Sequence, residues 1–118
     1  MATTLGVWQL FDGESIAFGA SATSAGVEMG TASALALHLT AITGTLPDVT
    51  FTYQLSNSKD GAGTYVVPQS PATIGANLAA VDVMDFAPEL ARYIQIIATN
   101  NSGANAAVIT AQLAIQEL

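Results

Sequence analysis

The chain has 118 residues, of which 51% are hydrophobic and only 9% charged, with a net charge of -7. Lys59 and Arg92 are the only basic residues, too few to neutralise a run of phosphates, which excludes ordinary nucleic-acid binding and a polybasic membrane anchor. Cysteine is absent, so no disulfide, thiolate nucleophile or Cys-ligated metal is possible, and packing alone must hold the one domain that this length allows.

In chain order, Leu5 to Phe11 and Glu14 to Gly19 read as two short strands around an Asp12-Gly13 turn. Ser21 to Ser33, rich in Ala, Ser and Gly, reads as a long loop or arm able to lie across a neighbouring subunit. From Leu35 to Thr43 the period is two: Leu35, Leu37, Leu39 and Ala41 share one face, and Ala36, His38, Thr40 and Ile42 the other. Gly44 to Asp48 is a turn. Val49, Phe51, Tyr53 and Leu55 then alternate with Thr50, Thr52, Gln54 and Ser56, the pattern of a half-buried strand.

Asn57 to Gly63 predicts a hairpin loop, followed by a weak strand over Thr64 to Val67. Thr73 to Ala80 predicts a turn or two of helix weakened by Gly75, and Ala80 to Phe86 a further strand. Pro88-Glu89-Leu90-Ala91 predicts one helical turn, with Pro at a favourable first position. Arg92 to Thr99 is a strand with Ile94, Ile96 and Ala98 together, and Asn100 to Asn105 a loop. In the last strand Ala107, Ile109, Ala111, Leu113 and Ile115 face one way and Val108, Thr110, Gln112, Ala114 and Gln116 the other. Short strands at this spacing predict an all-β fold, an antiparallel β-sandwich that is jelly-roll-like or Ig-like. One domain spans 1–118, with N-terminal strands and the arm in 1–32 and the main sandwich in 33–118. The N-terminus lacks the charged and apolar regions of a signal peptide, and the uncharged stretches Met29 to Pro47 and Tyr93 to Gln116 are too interrupted by polar and Gly residues for membrane spans.

Convergent ionisable groups are scarce. His38, the only histidine, lies on the non-core face of its strand and has no Cys-His or Ser-His-Asp partners, so the chain is expected to be no enzyme and to have no catalytic residue. Asp12 and Glu14 flank a turn, and Asp82, Asp85 and Glu89 lie close in sequence, but neither group has calcium-loop spacing, and a strand sends Asp82 and Asp85 to opposite faces. No metal or cofactor is expected. Gly61-Ala62-Gly63 lacks phosphate-loop spacing and reads as a flexible tip. Of the aromatics, Trp8 and Tyr93 fall where exposure is expected and are the candidates for a contact surface or a sugar-stacking platform. A surface of Ala, Thr, Ser, Asn and Gln, with 22 Ala and 13 Thr in the chain, suits contact with other protein more than contact with water.

Two segments resemble small β-sandwich virion proteins of tailed bacteriophages. Phe51-Thr52-Tyr53-Gln54-Leu55-Ser56-Asn57-Ser58-Lys59-Asp60-Gly61 is similar to their strand-turn pattern, and Ala91-Arg92-Tyr93-Ile94-Gln95-Ile96-Ile97-Ala98-Thr99-Asn100 to the strand that follows, with Val108 to Ile115 closing the pattern. The resemblance covers residues 33 to 118 and implies a structural virion protein, a capsid decoration (cement) or head-tail accessory protein, with no catalytic residues. The uncharged faces formed by Ala36, His38, Thr40 and Ile42 and by Val108, Thr110, Gln112 and Ala114 predict a homo-oligomer. A decoration role implies a trimer, by the geometry of shell threefold axes, bound to a major capsid protein on the outer capsid surface after synthesis in the cytoplasm of a bacterial host. The acidic balance fits an outer position, since a lining against DNA would be repelled. Other tail or head β-subunits and carbohydrate-binding β-sandwich modules share these patterns and stand as alternatives.

Overall fold

A computed structural model describes residues 4–29, 32–58, 65–68 and 72–117. It is all-β: β1 (Thr4–Ile16), β2 (Ser21–Thr23), β3 (Val27–Glu28), β4 (Ala32–Gly44), β5 (Val49–Ser56), β6 (Thr73–Leu78), β7 (Asp82–Phe86), β8 (Tyr93–Asn100) and β9 (Ala107–Glu117). The first sheet has the order β1-β9-β4-β7 and the second the order β2-β8-β5-β6, with β3 also on β8.

The pairing is nested. β1 pairs with β9, β2 and β3 with β8, β4 with β7, and β5 with β6, every pair antiparallel. The chain is thus one long hairpin, rolled so that β4 also meets β9 and β5 also meets β8. That winding is a jelly roll, which resolves the sequence expectation in favour of the first of its two sandwich types.

The inward residues are those that period two assigns. Leu37, Leu39, Val49, Phe51, Ile94, Ile96, Ile109, Leu113 and Ile115 are buried between the sheets. Tyr53 of the second sheet meets Phe86 of the first, ring centroids 5.5 Å apart. Tyr53 Oη donates to Glu89 Oε1 at 2.7 Å and ties down the β7–β8 connection.

Several local expectations are corrected. Asp12-Gly13 is no turn but an irregularity within one continuous β1, with Gly13 at φ 63 and its N–H donating to Thr110 Oγ1 at 3.0 Å. A β-bulge adds a residue without ending the strand, and Gly supplies the positive φ. The arm expected over Ser21 to Ser33 instead carries β2 and β3, sealed onto β8 of the same chain: Ser24 Oγ accepts from Ile96 N at 2.9 Å, and Val27 and Met29 are buried. Thr73 to Ala80 is not helical: β6 pairs with β5, and Gly75 lies against Met84, whose thioether would have to shift to admit a side chain there. Pro88 to Ala91 forms no helical turn; the Glu89 hydrogen bond holds it as irregular backbone. Of the strand expected over Thr64 to Val67, Val66 makes a single bridge to Leu55, and Thr64 lies outside the described residues.

A register shift between Leu39 and Ala41 moves one more pair. Ala41 stands opposite Thr110, on the outer face, and Ile42 opposite Ile109, on the core side. Ile42 therefore packs against the core and Ala41 is exposed, the reverse of strict alternation.

Candidate functional site

The two outer faces differ in kind. On the second sheet, polar side chains pair across strands: the Ser21 and Thr99 hydroxyls lie 2.9 Å apart, and Gln95 Nε2 donates to Gln54 Oε1 at 3.0 Å. Asn101 Nδ2 donates to Thr50 Oγ1 at 2.8 Å. Arg92 approaches Glu28 Oε1 at 3.8 Å and lies 5.5 Å from the Tyr93 ring centroid. This is an ordinary solvated sheet surface.

The outer face of the first sheet is different. β9 contributes Val108, Thr110, Gln112, Ala114 and Gln116, and β4 contributes Ala34, Ala36, His38, Thr40 and Ala41. The register adds Leu5, Val7 and Gln9 from β1, and Val83 and Asp85 from β7. Leu5 is 67% exposed, Val7 56% and Val83 58%, so apolar side chains face solvent on both edge strands. No Asp, Glu, Lys or Arg occurs from 34 to 44 or from 107 to 116. Asp85, on the short edge strand β7, is the carboxylate that the register adds to this face.

The polar groups of this face are turned onto one another. Gln112 Nε2 donates to Gln9 Oε1 at 3.0 Å, and Gln9 Nε2 donates to the Phe11 carbonyl at 2.7 Å. Thr110 Oγ1 accepts from Gly13 N, and Thr40 Oγ1 donates to the Thr110 carbonyl at 3.2 Å. Polar groups satisfied in this way lose little when water is removed. Small residues at Ala34, Ala36 and Ala114 leave a shallow depression of about 290 Å³, walled by Leu5 and Val7 on one side and by His38 and Asp85 on the other.

The candidates for chemistry are scattered. His38 stands on this outer face opposite Val83. Asp12 and Glu14 are exposed along the irregular part of β1. Asp82 pairs with Leu39 and Asp85 with Ala36, so the two carboxylates take opposite faces as their spacing demands. Glu89 is committed to Tyr53. Among the described residues no three His, Cys, Asp or Glu side chains gather as a metal site. Gly61-Ala62-Gly63 lies outside the described residues.

Trp8 and Tyr93 are not brought together. Trp8 is on β1 of the first sheet, its ring over Gly6, and Tyr93 is on the outer face of the second. The residues that period-two reading missed are Leu5, Val7 and Val83. Their individual exposure was not legible, because it depends on which strands neighbour β9 and β4.

No protein-family model matches the sequence, and no curated protein matches it. Among solved structures, a chain in the structure of infectious bursal disease virus, Gx strain, is similar at 12% identity with a TM-score of 0.44. The similarity covers 99% of this chain and 38% of that one, so the present chain spans well under half the length of its neighbour.

Proposed function

We propose that this chain is a structural virion subunit of the capsid-decoration type, which sits on the outside of a shell among copies of itself and binds a major capsid protein. The observation that carries this reading is the outer face of the first sheet: four strands wide, apolar at both edges, free of charge along its two central strands and internally hydrogen-bonded. Exposed sheets ordinarily carry charge that prevents association, and a face without it suits a permanent protein contact. The acidic residues described elsewhere on the surface, among them Asp12, Glu14, Glu28 and Asp48, support an outward position, because a net charge of -7 would be repelled by packaged nucleic acid. The role is structural and needs no turnover; His38 is one side chain of the contact face. Fold alone does not select this role, since jelly rolls host several functions.

The test is binding to shells. Purified chain mixed at micromolar concentration with virus shells lacking it is expected to co-sediment and saturate at a fixed ratio to the capsid subunit. Saturation at the few copies of a single vertex or tail would assign it to the head-tail accessory class instead. No co-sedimentation with any shell from the virus that encodes it would overturn the virion reading.

A further inference from the structure

We propose that the outer face of the first sheet is the site at which two copies of this chain pair, sheet against sheet, about a two-fold axis. This rests on reading that face as a protein contact and goes further by naming the occupant.

Three observations select a second copy. The first is area. Four strands about 4.8 Å apart and roughly ten residues long at about 3.4 Å each span on the order of 600 Å² in projection. A pleated face exposes more than its projection, which brings it near the ~800 Å² per partner of a stable interface. The face as a whole is therefore about the right size for one equal partner and too large for a peptide.

The second is charge. Two copies, each at -7, repel over most of their surfaces. Only a region without carboxylates lets them touch, and residues 34 to 44 and 107 to 116 provide it at the centre of the sheet. Asp85, on the edge strand β7, borders the depression, so the pairing must leave its carboxylate at the wet margin of the contact. A basic partner would find nothing to pair with at this centre.

The third is shape. An isologous contact requires one surface to carry both the projecting and the receiving element. Leu5 and Val7 project, and the depression over Ala34, Ala36 and Ala114 receives, on the same face. Gln9 uses both ends of its amide within the chain, and Gln112 Nε2 and Thr110 Oγ1 each hold one internal hydrogen bond, which lowers the cost of drying this face. The result is four stacked layers, with the two first sheets inside and the hydrogen-bonded second sheets outside.

Sedimentation equilibrium at tens of micromolar tests the pairing. The wild type is expected at twice the 12.0 kDa chain mass. Ala114→Arg, at the centre of the face, and Val7→Lys, at an exposed edge position that tolerates lysine in the folded chain, are each expected to weaken pairing by about 100-fold or more. Thr52→Lys, on the outer face of the second sheet, is expected to leave it unchanged. Circular dichroism matching the wild type certifies each variant as folded, and Val7→Lys keeps the test open if Ala114→Arg does not fold. A wild-type monomer at 100 µM, a trimer, a dimer indifferent to both face variants, or a dimer broken equally by Thr52→Lys would each overturn the proposal. Shell binding is scored separately: a dimer that binds no shell refutes the virion role and leaves the pairing, and a monomer that binds shells does the reverse.

Discussion

Asn100 Nδ2 donates to the Ile16 carbonyl at 3.0 Å, joining the end of β8 in one sheet to the end of β1 in the other. Asn100 is fully buried, and each end of its amide is used: Nδ2 also donates to the Asn105 carbonyl at 2.9 Å, and Oδ1 accepts from Ser102 N at 3.0 Å. One side chain therefore closes the sandwich and shapes the β8–β9 loop. Asn100→Ala strands these partners in a dry site and leaves a cavity, so urea denaturation is expected to show a loss of about 2–4 kcal/mol. A loss below about 1 kcal/mol would mean the loop holds its shape without the amide.

Alkaline stability depends on Tyr53. Burial, the hydrogen bond to Glu89 and the nearby Glu89 charge together push its pKa from 10.0 up to about 12. A raised folded pKa means the unfolded phenol ionises first, so stability is intact below pH 10 and drains away between 10 and 12, by up to about 3 kcal/mol. Tyr53→Phe is expected to cost about 1 kcal/mol at neutral pH and to flatten that alkaline slope, which a melting series from pH 8 to 12 reads directly.

Trp8 is the only tryptophan, and its ring lies where a side chain on Gly6 would sit. Gly6→Val is expected to displace the ring, shift its fluorescence to longer wavelength and cost about 1–3 kcal/mol. Unchanged emission would show that the indole does not rest on Gly6.

The register shift in β4 makes two neighbouring positions opposite in character. Ile42→Asp puts a carboxylate against the core and is expected to cost about 3 kcal/mol or more, while Ala41→Asp, on the exposed side, is expected to cost under about 1 kcal/mol. Equal effects at the two sites would argue for an unbroken strand.

Divalent ions are expected to contribute nothing. Asp12 and Glu14 are exposed and lack clustered partners among the described residues, so chelator is expected to move the melting temperature by less than about 2 °C. A fall of about ten degrees, equivalent to roughly 1–2 kcal/mol, would reveal a bound metal.

Strands with a clean alternation were legible from the residues. β5, β8 and β9 show it because each is central in its sheet, with one face on the core and the other outward, so burial imposes period two along its length. The failures have local causes. Asn77 takes a positive φ of 55 and Gly75 lies beneath Met84, so β6 is specified by its neighbours and not by its own propensity. Asp12-Gly13 carries turn chemistry, yet pairing with β9 on either side keeps the chain extended through it. β2 and β3 are too short to show a period, and they exist because the β8 edge offers them partners. The contact face was half legible. The outward residues of β4 and β9 could be read as uncharged, whereas the contributions of β1 and β7 follow from nested pairing that no local pattern encodes.

That nesting has a consequence for how the protein is made. β9, the final strand, is the middle of its sheet, flanked by β1 and β4. On a translating ribosome β1 and β4 emerge early and wait with open edges until Ala107–Glu117 is synthesised and released from the exit tunnel. The β5–β6 tip can close first, but the first sheet can only be completed once β9 is available, with pairing between residues as distant as Thr4 and Glu117. Such distant pairing slows folding and leaves a window in which unpaired apolar strands are open to aggregation or to capture by chaperones. Yield in cells is therefore set by events in the interval before β9 docks as much as by the stability of the finished sandwich.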